Sequence, residues 1–158
     1  MKKILLSCVL MTLCISCVKD RTHDIAPVAP GTLSVSFADE DTKVQLDNAA
    51  KTVWNADDRV SVFYYSDAND CWKFMGATGD RVGNLKRELQ GVATTTIDKV
   101  VVVYPYSDGY TLDAEKQTIS ANIPAVQHYT PDSYGVGANI MVSTGTTDSF
   151  AMKNLCGW

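Results

Sequence analysis

The chain has 158 residues, 46% of them apolar and 20% charged, with a formal net charge of -4. That length allows one ordinary domain, and the balance excludes disorder of the whole chain. The acidic sign disfavours a nucleic-acid partner, whose phosphates such a chain repels. The one run of acids, Asp39–Glu40–Asp41, reads as a solvated loop.

Residues 1–16 carry Lys2 and Lys3 and then an apolar stretch from Ile4 to Ile15. This is the pattern of a secretory leader. The stretch is shorter than the ~20 apolar residues a spanning helix needs, so it is read as a signal peptide. Ile15 and small Ser16 stand directly before Cys17, the arrangement of a lipobox. Cleavage there would put the Cys17 thiol at the new N-terminus, where a diacylglycerol attaches as a thioether. Two or three acyl chains, at ~0.8 kcal/mol per buried CH₂, make such an anchor stable. Cys14 is a poorer acceptor, because bulky Leu13 precedes it. Ordinary cleavage beside a chance cysteine is the alternative. Removing Lys2 and Lys3 from the 14 basic residues leaves 12 against 18 acidic ones, so the mature charge is -6.

Residues 17–30 then form the lipidated cysteine and a tether (VKDRTHDIAPVAP after Cys17), charged and proline-containing with no apolar period. From Gly31 the composition turns to strands. Leu33, Val35 and Phe37 alternate with Thr32, Ser34 and Ser36, a period of two. Val44–Leu46 is a short second run, and Lys51–Trp54 begins another. Asn55–Asp58 is a tight turn of Asx residues. Arg59–Tyr65 alternates again, with Val60, Val62 and Tyr64 on one face. Ser66–Asp70 is a loop, and Cys71–Met75 is the return strand of a hairpin. Residues 76–91 are punctuated by glycine. Within them Lys86–Leu89 reads as either a helical turn or part of a strand pairing with the next run downstream. Asp98–Tyr106 contains four consecutive valines, which implies a central strand covered on both faces and ended by Pro105. Tyr110–Leu112 and Gln117–Ile123 flank a polar turn, with Pro124 as a stop. Asn139–Val142 is a short run, Ser143–Ser149 a turn, and Phe150–Trp158 a last apolar run.

Nine or ten short strands without an amphipathic helix mean an all-β body, a β-sandwich or a barrel, over residues 31–158. The chain stops in what reads as mid-strand. A C-terminally truncated fragment with an unpaired edge is therefore expected. After processing only Cys71 and Cys156 remain free. A disulfide between them is open in an exported protein, as are two buried thiols.

Several stretches together resemble the fimbrillin-like lipoproteins of the Bacteroidales. Thr42-Lys43 to Leu46 is similar to an early "TKT-x-L" strand. Trp54, Asp58, Val60, Val62 and Phe63 fall on the family's "W-x-x-G-D-x-I-x-V-F" segment, with Asp57 where glycine is usual. Val103-Tyr104-Pro105-Tyr106 resembles its "YP" strand end. Pro124, Gln127 and Tyr129, followed by Met141-Val142 and Phe150 to Cys156-Gly157, resemble its "P-x-x-Q-x-Y … P-M-V … F-K-N-L-C-G" series. The resemblance covers about residues 32–158. It implies a transthyretin-like β-sandwich and an outer-membrane, surface-exposed structural or adhesion role. The partners it implies are the membrane, through the lipid on Cys17, and other fimbrial subunits or host surface ligands. In pilin members a strand of one subunit fills a groove in the next, after an arginine-directed protease trims the N-terminus. Arg21 in the tether and Arg59 in a strand are both poor places for that cut, which favours a permanently anchored role.

No catalytic site is expected. His23 and His128 lack a positioned nucleophile, and no nucleophile elbow occurs. Asn55/Asp57/Asp58 and Asp67/Asn69/Asp70 are oxygen-rich but lack EF-hand spacing, and Asx turns explain them. The glycines match no phosphate loop, so no cofactor or metal is expected. Two other functions stay open. The tyrosines and tryptophans could form a glycan-binding platform, or the chain could be the N-terminal module of a longer enzyme.

Overall fold

The computed structural model describes residues 30–38, 52–126, 128 and 137–155. The signal peptide, Cys17 and its tether, the Val44–Leu46 run, Cys156 and Trp158 lie outside the described residues. Among the described residues there is no helix. Nine strands are present: β1 (Thr32–Phe37), β2 (Arg59–Phe63), β3 (Asp70–Phe74), β4 (Val82–Leu89), β5 (Val100–Tyr104), β6 (Thr111–Asp113), β7 (Thr118–Ser120), β8 (Met141–Gly145) and β9 (Ser149–Asn154). Seven of them close into a barrel in the order β1-β4-β3-β2-β5-β8-β9, and β6-β7 form a separate two-stranded sheet.

Closure is made by the first and last strands. β1 runs antiparallel to β4, with Leu33 opposite Leu85, and parallel to β9, with Val35 opposite Phe150. β9 is therefore laddered on both sides, by β8 and by β1. This corrects the expectation of an unpaired edge at the last apolar run: closing a sheet on itself removes its edges.

The barrel interior holds one core. Leu33, Val35, Val60, Val62, Trp72, Phe74, Leu85, Val100, Val102, Met141, Phe150 and Met152 point into it, with Trp54. A second core lies outside the barrel wall. There Phe63, Val101, Val103 and Ile140 are covered by Tyr110, Leu112 and the β6-β7 hairpin. The four valines of β5 thus divide evenly, Val100 and Val102 inside and Val101 and Val103 outside. This is why an unbroken apolar run is stable there.

Other expectations are corrected. Thr52–Asn55 carry no strand, although Trp54 is buried; its N–H donates to Asp80 O at 2.8 Å and its C=O accepts from Gly79 N at 2.9 Å. Lys86–Leu89 is not helical. It belongs to β4, which pairs with β3 and β1 rather than with a downstream strand. Ser143–Gly145 is strand rather than turn, held by β5 opposite Val100–Val102. β7 ends at Ser120, so exposed Pro124 does not terminate it. β2 is buried on both faces rather than one, because β6-β7 covers Phe63.

Candidate functional site

Three of the residues singled out in the sequence, Trp54, Asp58 and Pro105, adjoin one aromatic cluster of the barrel. Trp54 is fully buried there. It stacks on Phe37 at 4.7 Å and on Phe74 at 5.1 Å, and meets Tyr104 edge-on at 5.5 Å. Such a cluster adds about 0.5–1.5 kcal/mol per pair beyond area burial. The turn after Trp54 closes on itself: Asp58 N donates to Asn55 O at 3.2 Å, and Asn55 N donates to Asp58 Oδ2 at 2.8 Å. Asp57, at φ 67°, occupies the left-handed conformation that glycine takes freely. Asp58 Oδ1 accepts from the Tyr104 hydroxyl at 3.4 Å. Burial, with the Asp58 carboxylate beside it, pushes the Tyr104 phenol up to about 12. Burial also raises Asp58, against the hydrogen bonds it accepts from Asn55 and Tyr104. Pro105, half-buried, follows through a cis peptide bond.

Two glycines come close to the Phe74 ring. A Cβ at Gly76 would lie 2.5 Å from Phe74 Cζ, and one at Gly83 would lie 2.4 Å from Cε2. The two glycines cradle the ring that Trp54 stacks on.

Over the outer face of β2, β3 and β4 runs an ion network. Arg59 Nε donates to Glu88 Oε2 at 2.7 Å. Lys73 Nζ reaches Asp57 Oδ1 at 3.2 Å and Glu88 Oε1 at 3.9 Å. Beneath it lies Cys71, a buried free thiol, 3.9 Å from Glu88 Oε2. Burial, and then the Glu88 charge, raise its pKa, so the reactive thiolate is suppressed. Its proposed disulfide partner Cys156 lies outside the described residues.

Further along β3 the carboxylates are committed to the protein itself. Asp70, buried, pairs with Arg87 Nη2 and accepts Gly91 N at 2.6 Å. Asp67 accepts Thr94 N at 2.7 Å and Thr95 N at 2.8 Å, and the Thr94 hydroxyl as well. Asn69 Nδ2 donates to Ser107 O at 2.8 Å and to Tyr110 O at 3.2 Å. These oxygen-rich loops therefore fasten the 90–97 segment and the β5-β6 connection. Carboxylates facing backbone N–H donors do not present themselves to a cation. Among the described residues no cluster of three His, Cys, Asp or Glu could hold a metal.

Trp54, Asp58, Val60, Val62 and Pro105 share the aromatic end or its adjoining core, whereas Phe63 serves the outer core. Pro124 and His128 are exposed, away from any of these contacts. Sequence reasoning missed the Asp70–Arg87 pair. Its signal was a charged residue in each of two strands, legible only once β3 and β4 were known to be neighbours.

Compared with family models, curated proteins and solved structures, the chain matches none.

Proposed function

We propose that this chain is a lipid-anchored structural or adhesion protein of the cell envelope, of the fimbrillin-like kind, acting through protein–protein contacts. The transthyretin-like sandwich belongs to the same proposal, as the relationship that the motif order from Trp54 to Asn154 suggests for the barrel. One observation carries most weight. β1 sits in a slot between β4 and β9, neither of them its neighbour in the chain, and fills it with Leu33 and Val35. A slot of that form can be refilled by a strand from another subunit, with main-chain bonds giving affinity and alternate side chains giving register. Arg59 lies in β2, laddered to β3 in the barrel wall, so a processing cut there would break the wall, which supports an anchored role over a shaft role.

The glycan-binding alternative draws no support from the described residues, where every Phe, Tyr and Trp ring is buried or half-buried. Tyr64 and Tyr65, the adjacent pair, cross at 83° instead of lying coplanar. The test of the anchor is metabolic labelling with a radioactive fatty acid. The parent chain is expected to carry label and to sediment with membranes, and Cys17→Ser to lose both. Label retained by Cys17→Ser overturns the reading.

A further inference from the structure

Every strand of the barrel is laddered on both sides, so its wall offers no free edge. The β6-β7 sheet is different. β7 pairs with β6 through Thr111↔Ser120, Leu112↔Ile119 and Asp113↔Thr118, and its other edge has no backbone partner among the described residues. Natural proteins blunt such edges with charge, proline, bulges or brevity. The free edge of β6 is short and ends at Asp113, whose carboxylate is tied to Lys116 Nζ at 2.8 Å. β7 is as short, but it ends on no charge and the uncharged chain runs on beyond it. From Thr118 to Ile123 the chain reads TISANI, six residues without charge or proline, none with positive φ. Ile119 and Ala121 pack against the outer core, so the alternation of burial continues one residue past the end of β7. Ile123, next on that face, is 47% exposed.

We propose that the edge formed by β7 and the residues that follow it to Ile123 pairs with the same edge of a second copy of this chain, antiparallel and centred on Ala121. Residues directly opposite in an antiparallel pair lie on the same face. Centring on Ala121 sets Ile119 against Ile123 of the other copy, Ala121 against itself, and Ser120 against Asn122. The apolar face then meets an apolar face and the polar face a polar one. Centring on Ser120 would also match the faces, but would set Ile119 against Ala121 and Ile123 against Gln117, leaving Ile123 without an apolar partner. A second copy is favoured over an unrelated peptide because only a second copy brings an Ile119 to cover the exposed Ile123 and an Ile123 to be covered in return. The segment is also neutral within an acidic chain, so two copies meet there without like charges opposed. The product is a four-stranded sheet, β6-β7-β7-β6, with the two-fold symmetry usual for homodimers. Each Ile123 would be covered by Ile119 of the other copy. The inference stands apart from the strand slot filled by β1, and from the lipid anchor.

Site-directed crosslinking of the full-length chain in detergent tests it. Ala121→Cys is expected to give an intermolecular disulfide under mild oxidation, well above the background of the parent cysteines. Thr118→Cys and Ser120→Cys, which do not face themselves, are expected to give none above that background. Adding Ile123→Lys to Ala121→Cys is expected to remove most of the crosslink, with the thermal melt unchanged. Sedimentation equilibrium of the parent chain and of Ile123→Lys alone gives a cysteine-free readout, the lysine raising the dimer dissociation constant by at least about tenfold. No crosslink at 121 above background, an equal crosslink at 120, or a dimer indifferent to Ile123→Lys overturns the proposal. Capture of a different protein at 121 also overturns it.

Discussion

Replacing Gly83 with alanine tests how tightly the aromatic end of the barrel is built. The added methyl would lie 2.4 Å from Cε2 and 2.6 Å from Cζ of Phe74. An aromatic ring usually turns away from such an intrusion. Here Trp54 stacks on it at 5.1 Å and Gly76, where an added Cβ would also clash, comes close from another direction, so little room is left for it to move. Overpacking of this kind costs about 2 kcal/mol. Removing a strand glycine returns about 0.5 kcal/mol through the unfolded chain. The net loss is about 1.5 kcal/mol, or about 6 °C in Tm at about 4 °C per kcal/mol for a body of this size. Thermal unfolding followed by near-UV circular dichroism reads both the shift and the loss of the Trp54 signal. In a Phe74→Leu background the same alanine has room, so the overpacking should vanish and leave only the gain of about 0.5 kcal/mol, a coupling of about 2 kcal/mol. An unchanged Tm for Gly83→Ala, or an equal cost in both backgrounds, would refute the reasoning.

Other outcomes rest on the same contacts. Phe63→Ala should destabilise by about 3–5 kcal/mol in urea unfolding, since its ring is fully buried beneath β6-β7; a cost under about 1 kcal/mol would show that face to be open. Tyr104 has its folded pKa raised from 10.0 to about 12 by burial first and then by Asp58. Its contribution to stability is therefore complete below pH 10 and lost as pH rises from 10 to about 12. Tyr104→Phe should flatten that alkaline loss, with tyrosinate absorbance of the parent chain rising late in the same window. Cys71, buried with its pKa raised, should react with a thiol reagent only after unfolding. Cys71→Ser should leave the native thiol count unchanged and lower the denatured count by one.

The parts legible in the sequence were those in which side-chain pattern and burial coincide. The valine run of β5 had to be covered on both faces, and the Leu33-Val35-Phe37 alternation had to be a strand. β4 was obscured because Lys86, Arg87 and Glu88 carry the charges of a helical turn. What makes them strand is pairing with β1 and β3, which no local signal records. β8 was cut short because Ser143, Thr144 and Gly145 lack apolar side chains, yet β5 supplies their ladder. The same limit applied to the site. Trp54 and the Asn55–Asp58 turn were visible as residues. The ring of Phe74 held between Gly76 and Gly83 required the β3-β4 register.

The pairing of β1 with β9 also fixes when the molecule can be finished. Residues 32–37 leave the ribosome long before residues 149–154, and the parallel ladder between them cannot form until the later segment has arrived. Until then Leu33 and Val35 have only β4 to pack beside, and the flank of β1 that β9 will cover stays open to chaperones and proteases. Contacts spanning so much of the chain are slow to form. The step that closes the wall is therefore also the one that ends the nascent chain's period of greatest vulnerability.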